Sequence, residues 1–283
     1  MRMPELPEVE TVVRDLRPLL PGRRIERVEL GRRQVLKSSP RKIVAILEGA
    51  IVENIERWGK HIVLRVTNGW WRIHLGMSGR LVVQAASEPR VKHTHGVFTL
   101  DTGDELRFTD PRMFGAIEVS RDLPKGLGKL GPEPLEISRE EFVQKLRSRR
   151  SRLKALLLDQ TFVRGVGNIY ADESLFRARL HPKAIGARVT AERAAALHTA
   201  LQQVLRRAID GRGSSVRDYV DGRGEAGRFQ FEHLVYGRAG EKCTRCKSVL
   251  RGTVVAGRTT CYCPTCQGRK KAKGKGQKAK VKR

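Results

Sequence analysis

Long apolar runs are missing from this sequence. The most continuous, such as Ala155-Leu156-Leu157-Leu158, fall far short of the ~20 residues that cross a bilayer. The first residues hold no apolar signal segment, so no secretory leader is expected and the protein is placed in the cytoplasm. Acid is scarce. Asp and Glu number 30 against 57 Lys and Arg, giving a net charge of +27. An ordinary enzyme for a neutral small molecule has no use for that excess, which predicts a polyanionic partner, most simply nucleic acid. No basic amphipathic helix carries bulky apolar residues, so an anionic membrane ranks below nucleic acid. Internal repeats are absent. Cysteine is sparse too. Four of the five fall in two Cys-x-x-Cys pairs, the pattern of metal ligation in a reducing compartment and not of a disulfide framework.

What is present suffices for two domains with their own cores: 283 residues, 39% of them hydrophobic. Residues 5–20 place Val9, Val12, Val13, Leu16, Leu19 and Leu20 at helical spacing and stop at Pro21-Gly22, which predicts a helix of about four turns. From Ile25 to Val119 the texture is β. Ile25–Leu30 and His61–Val66 alternate roughly, Gly96–Leu100 and Leu106–Phe108 flank a turn at Asp101–Asp104, and Ala116–Val119 adds a last strand. This predicts an antiparallel sandwich with the first helix packed on it. A Pro- and Gly-rich linker spans 121–136. A helical domain over 137–228 begins with the capping box Ser138-x-x-Glu141 and stays helical to about residue 220. Its longest helix starts at Thr190, carries Leu197, Leu201, Val204, Leu205, Ala208 and Ile209 on one core-facing stripe, and ends at Gly211. Residues 221–228 hold three glycines and four charges and read as a mobile surface loop. A finger over 229–267 and a disordered basic tail over 268–283 complete an α+β chain with an N-terminal domain at 3–120. The tail supplies nine of the 27 net charges, so the rest still carries about +18. Deleting it is expected to flatten the slope of log K for DNA against log salt, because binding then neutralises fewer phosphates and releases fewer counterions. An unchanged slope would count against that role.

The strongest single motif is Cys243-x2-Cys246-x16-Cys263-x2-Cys266. Two ligands from each of two turns fit four-thiolate zinc. The segment between them suits a β-hairpin. Four thiolates fill a tetrahedron, so the site is structural and closed to catalytic water. Cys261 is left over, points away from the metal and receives no role. Gly165-Val166-Gly167-Asn168-Ile169-Tyr170 forms a glycine-rich turn opening a helix, whose unpaired N–H groups suit a phosphate. The basic run Arg147, Arg149, Arg150, Arg152 and Lys154 just upstream strengthens that reading. His74–Arg80 and Asp110–Gly115 are tight turns displaying Met77 and Phe114. By composition these two are core residues. Flanked by glycine and arginine, they also suit wedges entering a base stack. Lys60, just ahead of a strand, reads by itself as a surface lysine. Near the start, Pro4 stands beside Glu5. A chain beginning at Pro4 has a free secondary amine of pKa ~7.7–8.0, partly unprotonated at neutral pH and able to form an iminium. On these residues alone, Pro4 and Pro7 as the opening of the first helix is the stronger reading.

Taken in order, Pro4-Glu5-Leu6-Pro7-Glu8-Val9-Glu10-Thr11, His74-Leu75-Gly76-Met77-Ser78-Gly79, Thr109-Asp110-Pro111-Arg112, Gly131-Pro132-Glu133-Pro134-Leu135, Gly165–Ala171, Val235-Tyr236-Gly237-Arg238 and the four-cysteine finger resemble the signatures of the formamidopyrimidine-DNA glycosylases. They cover residues 3 to about 267. Several are shared with the endonuclease VIII-like enzymes. Leu6 between Glu5 and Pro7, and the 217–228 loop, favour the formamidopyrimidine branch.

The resemblance implies a β-sandwich with an N-terminal helix, a helix–two-turn–helix domain and a zinc finger, with double-stranded DNA in the cleft between domains. It implies removal of oxidised purines such as 8-oxoguanine and formamidopyrimidines, followed by strand cleavage through β- and δ-elimination. Pro4 matches the nucleophile, Glu5 the general acid/base and Lys60 the lysine assisting β-elimination. Arg258 matches the arginine tied to δ-elimination. Met77, Arg112 and Phe114 match the residues that fill the gap left by the flipped base, which reverses the core reading of Met77 and Phe114. Asn168 matches a phosphate grip, and His93 and Arg149 match further DNA contacts. The 217–228 loop would close over the flipped base. One zinc ion is the only cofactor implied. A monomer associated with the bacterial nucleoid is expected.

Three features depart from the family pattern. Met1-Arg2 precede Met3-Pro4. Met113 stands where a second arginine is usual, and the basic tail extends past Cys266. The nucleophile reading requires Pro4 to become the mature N-terminus. If Met1-Arg2 remain attached, a non-catalytic DNA-binding protein follows. An endonuclease VIII-like enzyme for oxidised pyrimidines is the other alternative.

Overall fold

A computed structural model describes residues 3–215 and 219–268. Met1-Arg2, residues 216–218, which include the start of the expected 217–228 closing loop, and the basic tail from residue 269 lie outside the described residues.

The N-terminal part is a sandwich of two four-stranded antiparallel sheets. One runs β1 (Ile25–Leu30), β6 (Thr94–Leu100), β7 (Asp104–Thr109), β5 (Arg80–Ala85); the other runs β2 (Val52–Trp58), β3 (His61–Val66), β4 (Gly69–His74), β8 (Ala116–Ser120). Strands β2, β4 and β5 are additions to the sequence expectation. In β2 a register shift between Val52 and Asn54 breaks the alternation that would have revealed it. Ser39-Pro40 opens a further unforeseen helix, α2 (Pro40–Leu47), with the Ser39 hydroxyl accepting the Lys42 N–H.

Helix α1 spans Leu6–Leu16, shorter than the expected 5–20. Pro18 cannot continue it. The helix serves two cores at once. Val9, Val12, Val13 and Leu16 pack in the sandwich, whereas Leu6 belongs to the helical core with Phe162, Val166, Tyr170 and Leu205. The first turn of the chain is thereby clamped between the two halves of the molecule.

The helical part holds α3 (Arg139–Arg147), α4 (Leu153–Leu158), α5 (Asn168–Arg177) and α6 (Ala191–Asp210). Ser138 and Thr190 cap α3 and α6 as expected, and the α6 stripe is buried. Helix ends at Gly211, so the expectation of helix to residue 220 is corrected. The expectation of a free surface loop over 221–228 is corrected as well. Asp221 and Gly222 are buried, the Gly222 N–H donates to Asp15 on α1 at 3.1 Å, and Gly227 N–H donates to Ser215 Oγ at 2.8 Å. Arg212 bridges Asp15 and Asp221 at 2.5 Å each. Within that stretch only residues 223–226 and Arg228 stand exposed.

The finger is a hairpin of β9 (Arg251–Val255) and β10 (Arg258–Tyr262). Helix α5 holds it. Glu173 accepts the backbone N–H groups of Leu234, Val235 and Tyr236 at 2.9–3.0 Å. Asp172 accepts the Cys261 N–H at 2.9 Å and pairs with Lys154 at 2.7 Å; Lys154 also donates to the Thr259 carbonyl at 3.1 Å. Lys154 is 0% exposed, so its inclusion in a phosphate-facing basic run is corrected: it is a structural ion. Lys154→Met is expected to destabilise by about 3–5 kcal/mol, because it strands a buried carboxylate. Adding Asp172→Asn should recover part of that loss in urea unfolding.

Candidate active site and nucleic-acid interface

The residues expected to act at the sugar come together. A cavity of about 80 Å³ is lined by Met3, Glu5, Lys60, Asn168, Tyr236 and Arg258, with Leu158, Gly167 and Ile169. Four separate pieces of architecture deliver them. The start of α1 brings Met3 and Glu5, and Pro4 between them is buried. The β2–β3 turn brings Lys60, the first turn of α5 brings Asn168, and the two-residue turn of the finger brings Arg258, the first residue of β10.

Glycine makes this convergence possible. Leu6 N–H donates to the Gly165 carbonyl at 2.9 Å. A Cβ on Gly165 would lie 2.8 Å from Leu6 Cβ, and one on Gly167 would lie 2.4 Å from Glu5 Cδ. A side chain at either position would force Leu6 or Glu5 to shift from its place.

Glu5 is 4% exposed and its carboxylate occupies the N-terminus of α5, accepting from Ile169 N–H at 2.9 Å and Tyr170 N–H at 3.4 Å. Two of the N–H groups on that turn, those of Ile169 and Tyr170, are therefore taken by a carboxylate of the same chain. Burial is the largest influence on Glu5 and lifts its carboxyl to about 7; Lys60 opposes this, Glu8 adds to it, and the two backbone donors oppose it. A carboxyl poised at neutrality can give and take a proton under working conditions. Lys60 is shifted down, first by burial and also by Arg258, with Glu5 holding it up. Glu5, Lys60 and Arg258 thus form one electrostatic unit. Asn168 Oδ1 is buried and has no hydrogen-bond partner among the described residues.

Away from the cavity, two turns meet. Fully buried Asp110 accepts from Ser78 Oγ at 2.5 Å, Arg112 N–H at 3.2 Å and Gly115 N–H at 2.7 Å, and its own N–H reaches the His93 carbonyl at 3.0 Å. One residue, through its carboxylate and its backbone N–H, thereby ties the turns carrying Met77, His93, Arg112 and Phe114 to one another. Phe114 is 51% exposed with the Arg112 guanidinium 5.5 Å above its ring, whereas Met77 is 6% exposed. Met113 turns the other way and packs against the sandwich core. Arg149 is exposed after α3, remote in sequence from the other contacts.

The sulfurs of Cys243, Cys246, Cys263 and Cys266 all lie within 4.8 Å of one another, with Cys246–Cys263 at 3.4 Å and Cys243–Cys266 at 3.9 Å. Zn–S bonds of about 2.3 Å in a tetrahedron place sulfurs ~3.8 Å apart, so the four fit one structural zinc ion. Cys261 stands outside the cluster, buried against α5.

Sequence reasoning missed Glu8 and Tyr170, which shape the site from behind, and Tyr236, which lines it. The spacing of Glu8, three residues after the helix-capping Glu5, was the readable signal for the first.

Three family models match the chain in series. The formamidopyrimidine-DNA glycosylase N-terminal domain matches residues 3–117, the formamidopyrimidine-DNA glycosylase H2TH domain matches 130–220, and a zinc finger found in FPG and IleRS matches 240–268. The formamidopyrimidine-DNA glycosylase of Solibacter usitatus is 50% identical over 269 residues, covering 94% of this chain and 100% of that relative. This chain belongs to the formamidopyrimidine-DNA glycosylase family. Among solved structures, a formamidopyrimidine-DNA glycosylase variant of Lactococcus lactis in complex with a Fapy-dG-containing DNA superposes with a TM-score of 0.85 at 33% identity, over 94% of this chain and 100% of that one. The FPG protein of Thermus thermophilus gives 0.82 at 40% identity, over 94% and 99%. The family's architecture of sandwich, helix–two-turn–helix and finger is the one seen here.

Proposed function

We infer that this formamidopyrimidine-DNA glycosylase removes oxidised purines, 8-oxoguanine and formamidopyrimidines, from duplex DNA and then cuts the strand by β,δ-elimination. The observation that carries the reading is the convergence of Glu5, Lys60, Asn168 and Arg258 on one cavity beside Pro4. The unbound amine of Pro4 attacks C1′ of the flipped nucleotide, and the bond from C1′ to the base breaks. Opening of the sugar then yields an iminium. Because the amine is secondary, this iminium has no N–H proton to lose and stays cationic. It acidifies the C2′ proton, and the 3′ phosphate leaves as that proton departs. Glu5, poised near neutrality, hands protons to and from the sugar. Lys60 and Arg258 neutralise the phosphates on either side. The guanidinium of Arg258 acts as a clamp, its planar fork of donors matching phosphate oxygens.

Phe114, exposed and braced by Arg112, fills the vacated stack together with Met77. His93, Arg149 and Asn168 contact the DNA backbone. The family match beginning at Met3 supports Pro4 as the working N-terminus once Met3 is removed. The enzyme acts as a monomer in the cytoplasm, held at the nucleoid by its charge. Single-turnover release from 8-oxoguanine:C and thymine-glycol duplexes tests the substrate class. Faster release of 8-oxoguanine is expected, and a preference for thymine glycol would move the enzyme to the pyrimidine-directed branch.

A further inference from the structure

Behind the cavity lies a polar cluster that the chemistry above does not use. Its centre is Glu8, 2% exposed on the first turn of α1. Glu8 Oε2 accepts the Glu5 N–H at 2.9 Å, while Oε1 accepts the Tyr170 hydroxyl at 2.5 Å and the Ser214 N–H at 2.8 Å. Ser214 Oγ lies 3.4 Å from the Tyr170 hydroxyl and 3.0 Å from Nε2 of His233. Glu8, Tyr170 and Ser214 are buried, and His233 is the member of the chain that reaches solvent. Its ring stands edge-on to Phe229 at 5.7 Å and to Tyr236 at 5.4 Å, and Tyr236 itself lines the catalytic cavity.

We propose that His233 is a positioning residue for Glu5: with Nε2 protonated it opens a hydrogen-bond chain through Ser214 and Tyr170 whose donors all point at Glu8, and so keeps Glu8 a carboxylate behind the catalytic acid. The inference rests on the reading of Glu5 as the acid/base. Nε2–H donates to Ser214 Oγ, Ser214 Oγ–H to the Tyr170 oxygen, and Tyr170 O–H to Glu8 Oε1. No proton has to move along the chain: each donor keeps its own hydrogen, and the neutral Nε2–H tautomer of His233 suffices to orient the three links.

The groups facing each end support this. Glu8 faces Glu5 on its own helix, Tyr170 from α5, Lys60 from the β2–β3 turn, and Tyr219, whose hydroxyl reaches the Glu8 carbonyl at 3.1 Å. Arg238 donates to the His233 carbonyl at 3.1 Å. Burial raises the Glu8 carboxyl, and its hydrogen-bond donors oppose that rise. Removing the donors leaves that rise less opposed. An ionised Glu8 in turn helps hold Glu5 up near neutrality.

The test is the pH profile of single-turnover 8-oxoguanine excision for the wild type, His233→Phe and Ser214→Ala, with melting temperature and DNA Kd measured alongside. In both variants the limb near neutrality is expected to move to lower pH by about half a unit or more. Glu8→Gln should move it the same way, and adding His233→Phe to that variant should move it no further. A limb that stays in place in both single variants overturns the proposal, as do shifts that simply add in the double variant. If Glu8→Gln does not fold, the two single variants still decide. A wild type without excision refutes the enzymatic reading, whereas an active wild type with an unmoved limb refutes only the role of His233.

Discussion

Glu5→Gln is expected to slow single-turnover excision of 8-oxoguanine by about 10²–10⁴-fold, the range typical of a lost general acid/base. The substitution changes little else. Glutamine keeps the shape of the side chain and one oxygen for the Ile169 N–H that Glu5 now accepts at 2.9 Å, so DNA affinity should hold. What is lost is the ability to exchange a proton near neutrality. The limb of the excision profile near pH 7, where the Glu5 carboxyl titrates, should disappear. On DNA that already carries an abasic site the loss should be smaller, since the base has already departed.

The same shift has a consequence for stability. The Glu5 carboxyl rises from 4.5 to about 7 on folding, so the folded chain binds this proton more tightly than the unfolded chain. That contribution is complete below the unfolded value and is lost as pH rises through 7. Its size is about 3 kcal/mol. Glu5→Gln has no such proton, so the wild type should lose about that much more stability than the variant between acid and alkaline pH. Urea unfolding of both proteins at two pH values measures the difference.

Retention of Met1-Arg2-Met3 ahead of Pro4 is expected to have an effect at least as large. An acylated proline nitrogen shares its lone pair with a carbonyl and has none to offer C1′. Without a nucleophile there is no iminium, and without an iminium the C2′ proton is not acidic enough to leave. Borohydride trapping on abasic-site DNA should fall to background. Met3 lines the same cavity as Glu5 and Lys60, so its removal both frees the amine and opens the space in front of it. A protein starting at Pro4 and one bearing the three extra residues should therefore both bind DNA, while only the first cuts it.

Much of this architecture was legible in the chain. The finger was legible because cysteine spacing is dictated by the metal. The long stripe of α6 was legible because 3.6-residue periodicity over twenty residues is hard to mistake. The strands β2 and β4 were not, since a register shift in one and a Gly-Trp-Trp start in the other blur the alternation. The partner of the Ile169 and Tyr170 N–H groups was not legible for a physical reason. A helix N-terminus attracts any anion, and sequence cannot say that the anion is Glu5, 164 residues away from Ile169 along the chain. Lys154 failed similarly: one lysine in a basic run turned inward to Asp172. Local motifs announced the reacting groups, but the contacts that tune them join distant stretches and became visible only once the chain was folded.

The whole mechanism turns on the secondary amine of Pro4 as the attacking group. It is tested most directly by reducing the enzyme with borohydride on abasic-site DNA, digesting the adduct, and locating the modified residue by mass. A single adduct is expected on the nitrogen of Pro4, in a peptide that begins at that residue. An adduct on Lys60, or trapping by a protein whose intact mass still includes Met1-Arg2-Met3, would contradict the mechanism.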